Sequence, residues 1–216
     1  LEDPDSRPGH STPVVWEDQV FLLTAVETER TVDELPELKF EPPGGYKTPR
    51  PTNYHKFVVL SVDRRSGRIQ WRQTAVEEVP HEGRHGTNTY ASGSPITDGR
   101  YLYASFGSRG IFCYDLEGTL RWKRDLGEMV TRFGWGEGTS PTVHGDCVIV
   151  NSDHEGDSRL LVLDAGTGQT KWQVDRDEIS SWSTPLVVEH KGVTQLIVMP
   201  PVESRPTIWP TAESSG

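Results

Sequence analysis

His81-Glu82-Gly83-Arg84-His85 is the segment of this chain whose residue types and spacing most suggest chemistry. Two imidazoles four residues apart can share a zinc ion, with the intervening glutamate as general base, when a helix carries both rings on one face. Pro80 before the segment, Gly83 within it and Gly86 after it oppose such a helix, so a loop is expected and the zinc chemistry is set aside. Asp153-His154-Glu155-Gly156-Asp157-Ser158 offers oxygen ligands to a cation. It lacks the spacing of a calcium loop and is expected to be a solvated turn. Cys113 and Cys147, the two cysteines, sit far apart in apolar runs and are expected to act as small buried hydrophobes rather than a redox pair. No catalytic, cofactor-binding or metal-ligating residue is assigned on these grounds.

The elements that must position any site are announced by a repeat. Asp63…Gly67…Trp71, Asp115…Gly118…Trp122 and Asp164…Gly168…Trp172 follow one pattern, with the Trp residues 51 and 50 positions apart. Ser/Thr-Pro followed by apolar residues recurs at Thr12-Pro13, Ser94-Pro95, Ser140-Pro141 and Thr184-Pro185. The intervals from Pro95 to Pro141 and on to Pro185 are 46 and 44 residues, the size of a four-stranded propeller blade. Short β-rich runs separated by Asp-Gly and Gly clusters fill each unit, and no apolar period of 3.6 is sustained. The expected fold is all-β: an incomplete propeller over 9–198, about four of seven or eight blades, starting near 11, 93, 139 and 183. The first interval is 82 residues, so a surface insertion is expected over about 27–54, a charged and Pro-rich stretch. Within each repeat the Asp should cap a tight turn, the Gly should take positive φ, and the Trp should fill the gap to a neighbouring blade. Gly118 follows Asp115 by three residues rather than four, which predicts a turn one residue tighter.

These elements resemble the tryptophan-docking motif and innermost strands of the pyrroloquinoline-quinone-like β-propeller repeat family. The resemblance covers nearly all of 9–198 and extends to Planctomycetes-type propeller proteins. Quinoprotein dehydrogenases of that family imply a quinone beside a disulfide of adjacent cysteines, with calcium held by acidic and amide side chains; this chain has no adjacent pair. The barrel-assembly lipoproteins of bacterial outer membranes, also similar, imply a scaffold without catalysis. Family resemblance implies a periplasmic or cell-surface location.

In such a propeller the channel mouth is the place for contacts, and His10, Ser92, Gly138 and Trp182 stand three residues before the four prolines. They are the candidate rim, with His85, Asn88 and Trp135 as further loop contacts. A net charge of −10 argues against nucleic acid and anionic lipid as partners, and no apolar run is long enough for a transmembrane segment. The expected function is a non-catalytic scaffold binding a protein, peptide or glycan. The alternative is a fragment of a dehydrogenase whose quinone and calcium ligands lie elsewhere. The chain starts at Leu1 and is expected to be a piece of a longer protein; its tail, 199–216, carries no strand pattern and is expected to be disordered. Reverse translation of that tail, with codons chosen among those allowed and read one base back, restores Asp-x-x-x-Gly-x-x-x-Trp. A one-base shift in the gene near codon 199, or a sequencing error there, is therefore expected.

Overall fold

Four antiparallel sheets follow one another along the chain in a computed structural model that describes residues 9–35, 37, 41–199 and, for the backbone alone, 207–210. The first sheet contains β1 (Val14–Trp16), β2 (Gln19–Thr31), β3 (Asn53–Asp63) and β4 (Ile69–Glu78). The second contains β5 (Ile96–Thr97), β6 (Tyr101–Ser105), β7 (Ile111–Asp115) and β8 (Leu120–Arg124). The third contains β9 (Thr142–His144), β10 (Cys147–Ser152), β11 (Arg159–Asp164) and β12 (Thr170–Asp175), and the fourth β13 (Leu186–His190), β14 (Val193–Val198) and β15 (Thr207–Pro210). Strands pair in chain order within every sheet, which is the meander of a propeller blade. Among the described residues the helical turns are two short 3-10 segments, Gly107–Arg109 and Arg132–Gly134. The chain is thus an incomplete β-propeller.

Each first strand begins directly after one of the repeated prolines. A residue without an N–H is tolerated there because it stands outside the ladder. The hydroxyl before the proline also has a use: Thr12 N–H donates to Ser94 Oγ at 2.8 Å, and Ser94 N–H donates to Ser140 Oγ at 2.9 Å. These bonds tie consecutive blades at the axis, where β1, β5, β9 and β13 lie side by side.

Second and third strands of the two middle sheets are apolar on both faces because each is sandwiched between neighbouring sheets. Phe21, Leu23, Phe57, Val59, Leu102, Ala104 and Phe112 pack between the first two sheets. Tyr103, Ile111, Cys113, Val148, Val150, Leu161 and Leu163 pack between the second and third, and Ile149, Leu160, Val162, Leu196 and Val198 between the third and fourth. Burying one such side chain contributes about 1.5–3 kcal/mol, so these layers, rather than the exposed outer strands, hold the blades together.

The docking repeat explains how the layers register. Trp71 lies over Gly118, where an added Cβ would stand 2.7 Å from its ring, and Trp122 lies over Gly168 in the same way at 2.5 Å. Both indoles donate to the backbone one residue past the aspartate: Trp71 Nε1 to Leu116 O at 2.8 Å and Trp122 Nε1 to Ala165 O at 2.9 Å. The aspartates cap the turns, Asp63 Oδ1 accepting from Ser66 N–H at 2.7 Å and Asp164 Oδ1 from Thr167 N–H at 2.9 Å. Gly67, Gly118 and Gly168 all have positive φ, at 70°, 89° and 70°. The second turn is the tighter one: Gly118 N–H reaches back three residues to Asp115 O, whereas Gly67 and Gly168 reach back four, to Asp63 O and Asp164 O.

Two expectations meet differences. The excursion expected over 27–54 begins later and ends sooner, because β2 runs to Thr31 and β3 starts at Asn53. Glu27 pairs with His55 and Thr31 with Asn53, across a register shift, and the Arg30 guanidinium sits 3.7 Å over the Tyr54 ring. Backbone pairing carries this charged hairpin past the core, so its polar composition does not end the strands. In the tail, β15 pairs with β14, Trp209 opposite Leu196 and Ile208 opposite Ile197, where the sequence showed no strand pattern. The rest of the expected disordered tail beyond Met199, and the sites of the expected frameshift motif, lie outside the described residues.

Candidate functional site

Three inter-blade connections converge on the channel. Residues 79–95 lead from β4 to β5, 125–141 from β8 to β9, and 176–185 from β12 to β13. None of the first connection is helical, so His81 and His85 never share a helix face, and the zinc pattern is dismantled by the loop its glycines and proline impose. His81 is turned inward and buried, while His85 is exposed.

Beneath the mouth is a cavity of about 60 Å³, lined among others by His81, Glu82, Arg109, Thr131, Glu137 and Asn151. Glu82 is held by Thr131, whose N–H and hydroxyl each donate to a carboxylate oxygen at 2.9 Å. Glu137, from the next connection, accepts from the Ser108 N–H at 2.6 Å and from the Ser108 hydroxyl. Burial, reinforced by the Glu137 charge, pushes the Glu82 carboxyl up to about 8, and burial pushes Glu137 up to about 7. Two carboxyl groups taken out of water so close together favour holding a proton.

His81, Glu82 and Glu137 place potential ligand atoms within 4.8 Å of one another. The imidazole, however, is already committed. Arg109 can only donate, and its Nη2 lies 2.8 Å from His81 Nδ1, so the proton is on Nε2, which donates to Met129 O at 2.6 Å. Burial and the Arg109 charge lower His81 to about 4, so the ring stays neutral. With no lone pair left on His81 and a guanidinium beside it, the trio is arranged as a hydrogen-bond anchor, its groups engaged by Arg109, Met129, Thr131 and Ser108.

The acidic loop departs from expectation in the same direction. Asp153 is buried rather than solvated: its carboxylate accepts from Arg176 Nε at 2.7 Å and Nη2 at 3.1 Å, with side chains 0% and 2% exposed. Ser158 and His154 close the loop, the Ser158 hydroxyl accepting from His154 N–H at 2.9 Å and donating to Glu178 O at 2.7 Å. The loop is therefore a polar knot that fixes the third connection. Asn151 Oδ1, buried beside it on the cavity wall, has no hydrogen-bond partner among the described residues.

Above the cavity the channel opens into a pocket of about 400 Å³ lined by His10, His85, Thr87, Asn88, Ser92, Trp135, Gly138 and Trp182. The candidate rim residues His10, Ser92, Gly138 and Trp182 are thus brought together, and the further loop residues His85, Asn88 and Trp135 join them. Ser92, Gly138 and Trp182 line both spaces, so the inner cavity is the floor of the outer pocket. Trp135 and Trp182 stand with ring centroids 6.1 Å apart and planes tilted by 35°, and the His85 ring meets Trp135 edge-on at 5.6 Å.

This wall is rigid. Trp182 Nε1 donates to Gly136 O at 2.7 Å, and Gly136 N–H donates to Thr131 Oγ1 at 2.9 Å, which links the wall to Glu82. Asn88 Nδ2 donates to Trp135 O at 2.9 Å, as does His85 N–H at 2.8 Å, while Asn88 Oδ1 accepts from the Ser92 hydroxyl. Glu137, Ser108, Arg109 and Thr131 escaped the sequence reading. The one signal available was Glu137 itself, a lone carboxylate in the Gly-rich run Gly134-Trp135-Gly136-Glu137-Gly138.

The free cysteines are in different sheets, Cys113 buried on β7 and Cys147 at the start of β10. No helix among the described residues is long and apolar enough to cross a membrane.

A family model described as outer membrane protein assembly factor BamB matches residues 55–199. No curated protein matches the chain. Similar solved structures include BamB from Moraxella catarrhalis, at 18% identity and TM-score 0.42, covering 71% of this chain and 44% of that one. A europium-containing methanol dehydrogenase is similar at 15% identity and TM-score 0.48, covering 77% and 25%. A quinohemoprotein alcohol dehydrogenase from Pseudomonas putida HK5 is similar at 13% identity and TM-score 0.49, covering 88% and 28%. The chain spans about a quarter of the length of the two dehydrogenases and less than half of the BamB structure.

Proposed function

Because the chain belongs to the family of the outer membrane protein assembly factor BamB, built on PQQ-like propeller repeats, we propose that it is part of a non-catalytic scaffold that takes its ligand at the channel mouth. The observation that carries this reading is the convergence of four positions that precede the inner strands, His10, Ser92, Gly138 and Trp182, on one open aromatic pocket. Their types differ while the surrounding strands repeat, and their backbone is fixed by the anchors beneath. A rigid wall loses little conformational entropy when a ligand settles on it, which lowers the cost of binding. A periplasmic or cell-surface location is part of the proposal, following from the family.

We do not read the inner cavity as the seat of a quinone. The inner cavity, at about 60 Å³, is far below the roughly 300 Å³ of the smallest small-molecule pockets, and Cys113 and Cys147 stand in different sheets and cannot form a disulfide of adjacent residues. Most of the ionisable groups lining that cavity are engaged by protein partners: Glu82 by Thr131, Glu137 by Ser108, and His81 by Arg109 and Met129.

A photo-crosslinking residue placed at Trp182, compared with one at Arg65 on an outer turn 81% exposed, tests the scaffold reading on the full-length protein. Adducts formed in an envelope fraction from position 182 and not from position 65 are expected. Equal labelling from both positions, or a bound chromophore after addition of pyrroloquinoline quinone and calcium, overturns it.

A further inference from the structure

Resting on that placement of the site, we propose that the outer pocket binds a neutral carbohydrate, with Trp135 and Trp182 as the stacking walls. The lining holds no Lys, Arg, Asp or Glu, although 54 of the 216 residues, 22 basic and 32 acidic, carry charge. An uncharged lining in so charged a chain favours a ligand without charge, since an ionic one would lose its hydration with no counter-charge in return. The walls are two indole faces set at an angle, suited to a ligand with flat C–H surfaces.

The hydrogen-bonding inventory separates a sugar from a peptide. Trp182 Nε1, Asn88 and Ser92 are consumed inside the wall, by Gly136 O, by Trp135 O and by one another. Among the described residues, the side-chain polar groups of the lining without a hydrogen-bond partner are the His10 imidazole, His85 Nε2 and the Trp135 indole N–H, a mixed set of acceptors and donors, since His85 Nδ1 pairs with Thr87 Oγ1 at 2.8 Å. An imidazole nitrogen bearing a lone pair is an acceptor. A sugar hydroxyl satisfies it and can also accept from the protonated nitrogen, one group serving both roles, whereas a peptide needs an N–H for the one and a carbonyl for the other. The rim is also built from connections and not from a strand edge, so it offers an extended peptide no backbone ladder.

The pocket is pre-arranged, because each tryptophan is fixed through its own backbone or ring N–H. Affinity therefore depends on stacking area, and shortening either wall should act on binding without unfolding the blade. Trp182, 39% exposed, is the safer position to change.

The test is calorimetric and fluorimetric titration of the full-length protein with neutral hexasaccharides (β-1,4-glucan, α-1,4-glucan, β-1,3-glucan and β-1,4-linked N-acetylglucosamine), beside a decaproline peptide. At least one oligosaccharide is expected to saturate and to quench tryptophan emission. Trp182→Ala should weaken it at least tenfold, Trp182→Phe less, and His85→Ala severalfold, with unchanged thermal melting. Saturation by no oligosaccharide, or binding indifferent to Trp182→Ala, overturns the proposal. Pocket-dependent binding of the peptide alone also overturns it while leaving the scaffold reading standing; a quinone chromophore removes the scaffold reading itself.

Discussion

Gly67 and Gly168 occupy the same place in two copies of the docking repeat and share a φ of 70°, yet their surroundings differ in one respect. An added Cβ at Gly168 would stand 2.5 Å from Trp122 Cε3, whereas at Gly67 nothing among the described residues lies within 4 Å. Alanine at either site pays for the left-handed backbone, about 1–2 kcal/mol. Only at Gly168 must a ring also leave. Trp122 is 9% exposed and its indole donates to Ala165 O at 2.9 Å. Losing that bond costs about 1 kcal/mol, and lifting part of the ring forfeits about a further 1–2 kcal/mol of the roughly 3–5 that complete truncation of a core Trp costs. Gly168→Ala is therefore expected to destabilise by about 3–5 kcal/mol and Gly67→Ala by about 1–2. Urea unfolding followed by far-UV circular dichroism measures both, and in a Trp122→Ala background the cost of Gly168→Ala should fall to that of Gly67→Ala. Equal costs in the wild-type background, or no change in the second background, refute the view that the glycine exists to seat the tryptophan.

Two further outcomes concern the buried polar groups. Glu82 and Glu137 titrate above the ordinary carboxyl range, so the folded state holds protons that the unfolded chain releases from about pH 4.5 upward, and stability should decline as pH rises toward 8. His81, lowered to about 4, acts oppositely between pH 4 and 6.5, so the clean window is pH 6.5 to 8. There the urea midpoint should drop, by at most about 1.4 kcal/mol per pH unit for each group, and Glu82→Gln should flatten the slope; a midpoint that rises with pH in this window contradicts the burial argument. Arg176→Met strips the Asp153 carboxylate of its buried partner and is expected to cost about 3–5 kcal/mol, with Asp153→Asn in the same chain recovering part of it; thermal melting of the two variants checks this.

What the sequence disclosed follows from what repeats. Asp, Gly and Trp recur because every blade must solve one packing problem, so a Trp filling the gap between blades was legible from spacing, whereas its seat on the glycine of the next repeat, Trp71 on Gly118 and Trp122 on Gly168, was not. The prolines marked the inner strands for the same reason. The charged hairpin over 27–31 was not legible, since cross-strand pairing of Glu27 with His55 depends on a partner 28 residues away and not on local composition. Asp153 was misjudged for a related cause: its burial depends on Arg176, which approaches only when β12 returns along β11.

The site divides along the same line. Rim residues could be found by counting back from each proline, because the inner strand delivers the preceding residues to the mouth. The floor could not, because Glu82, Glu137, Thr131 and Ser108 meet only after two inter-blade connections and the turn between β6 and β7 come together, and no shared offset relates them. Glu82 caps Thr131, Thr131 accepts from Gly136, and Gly136 receives the Trp182 indole, so a carboxyl in one connection sets the position of an aromatic wall in another. Repeats encode the scaffold, and the non-repeating residues between them encode the pocket. The side chains lining the pocket, Trp135, Trp182, His10 and His85 among them, are therefore those for which a single sequence offers least, since none belongs to the repeated pattern.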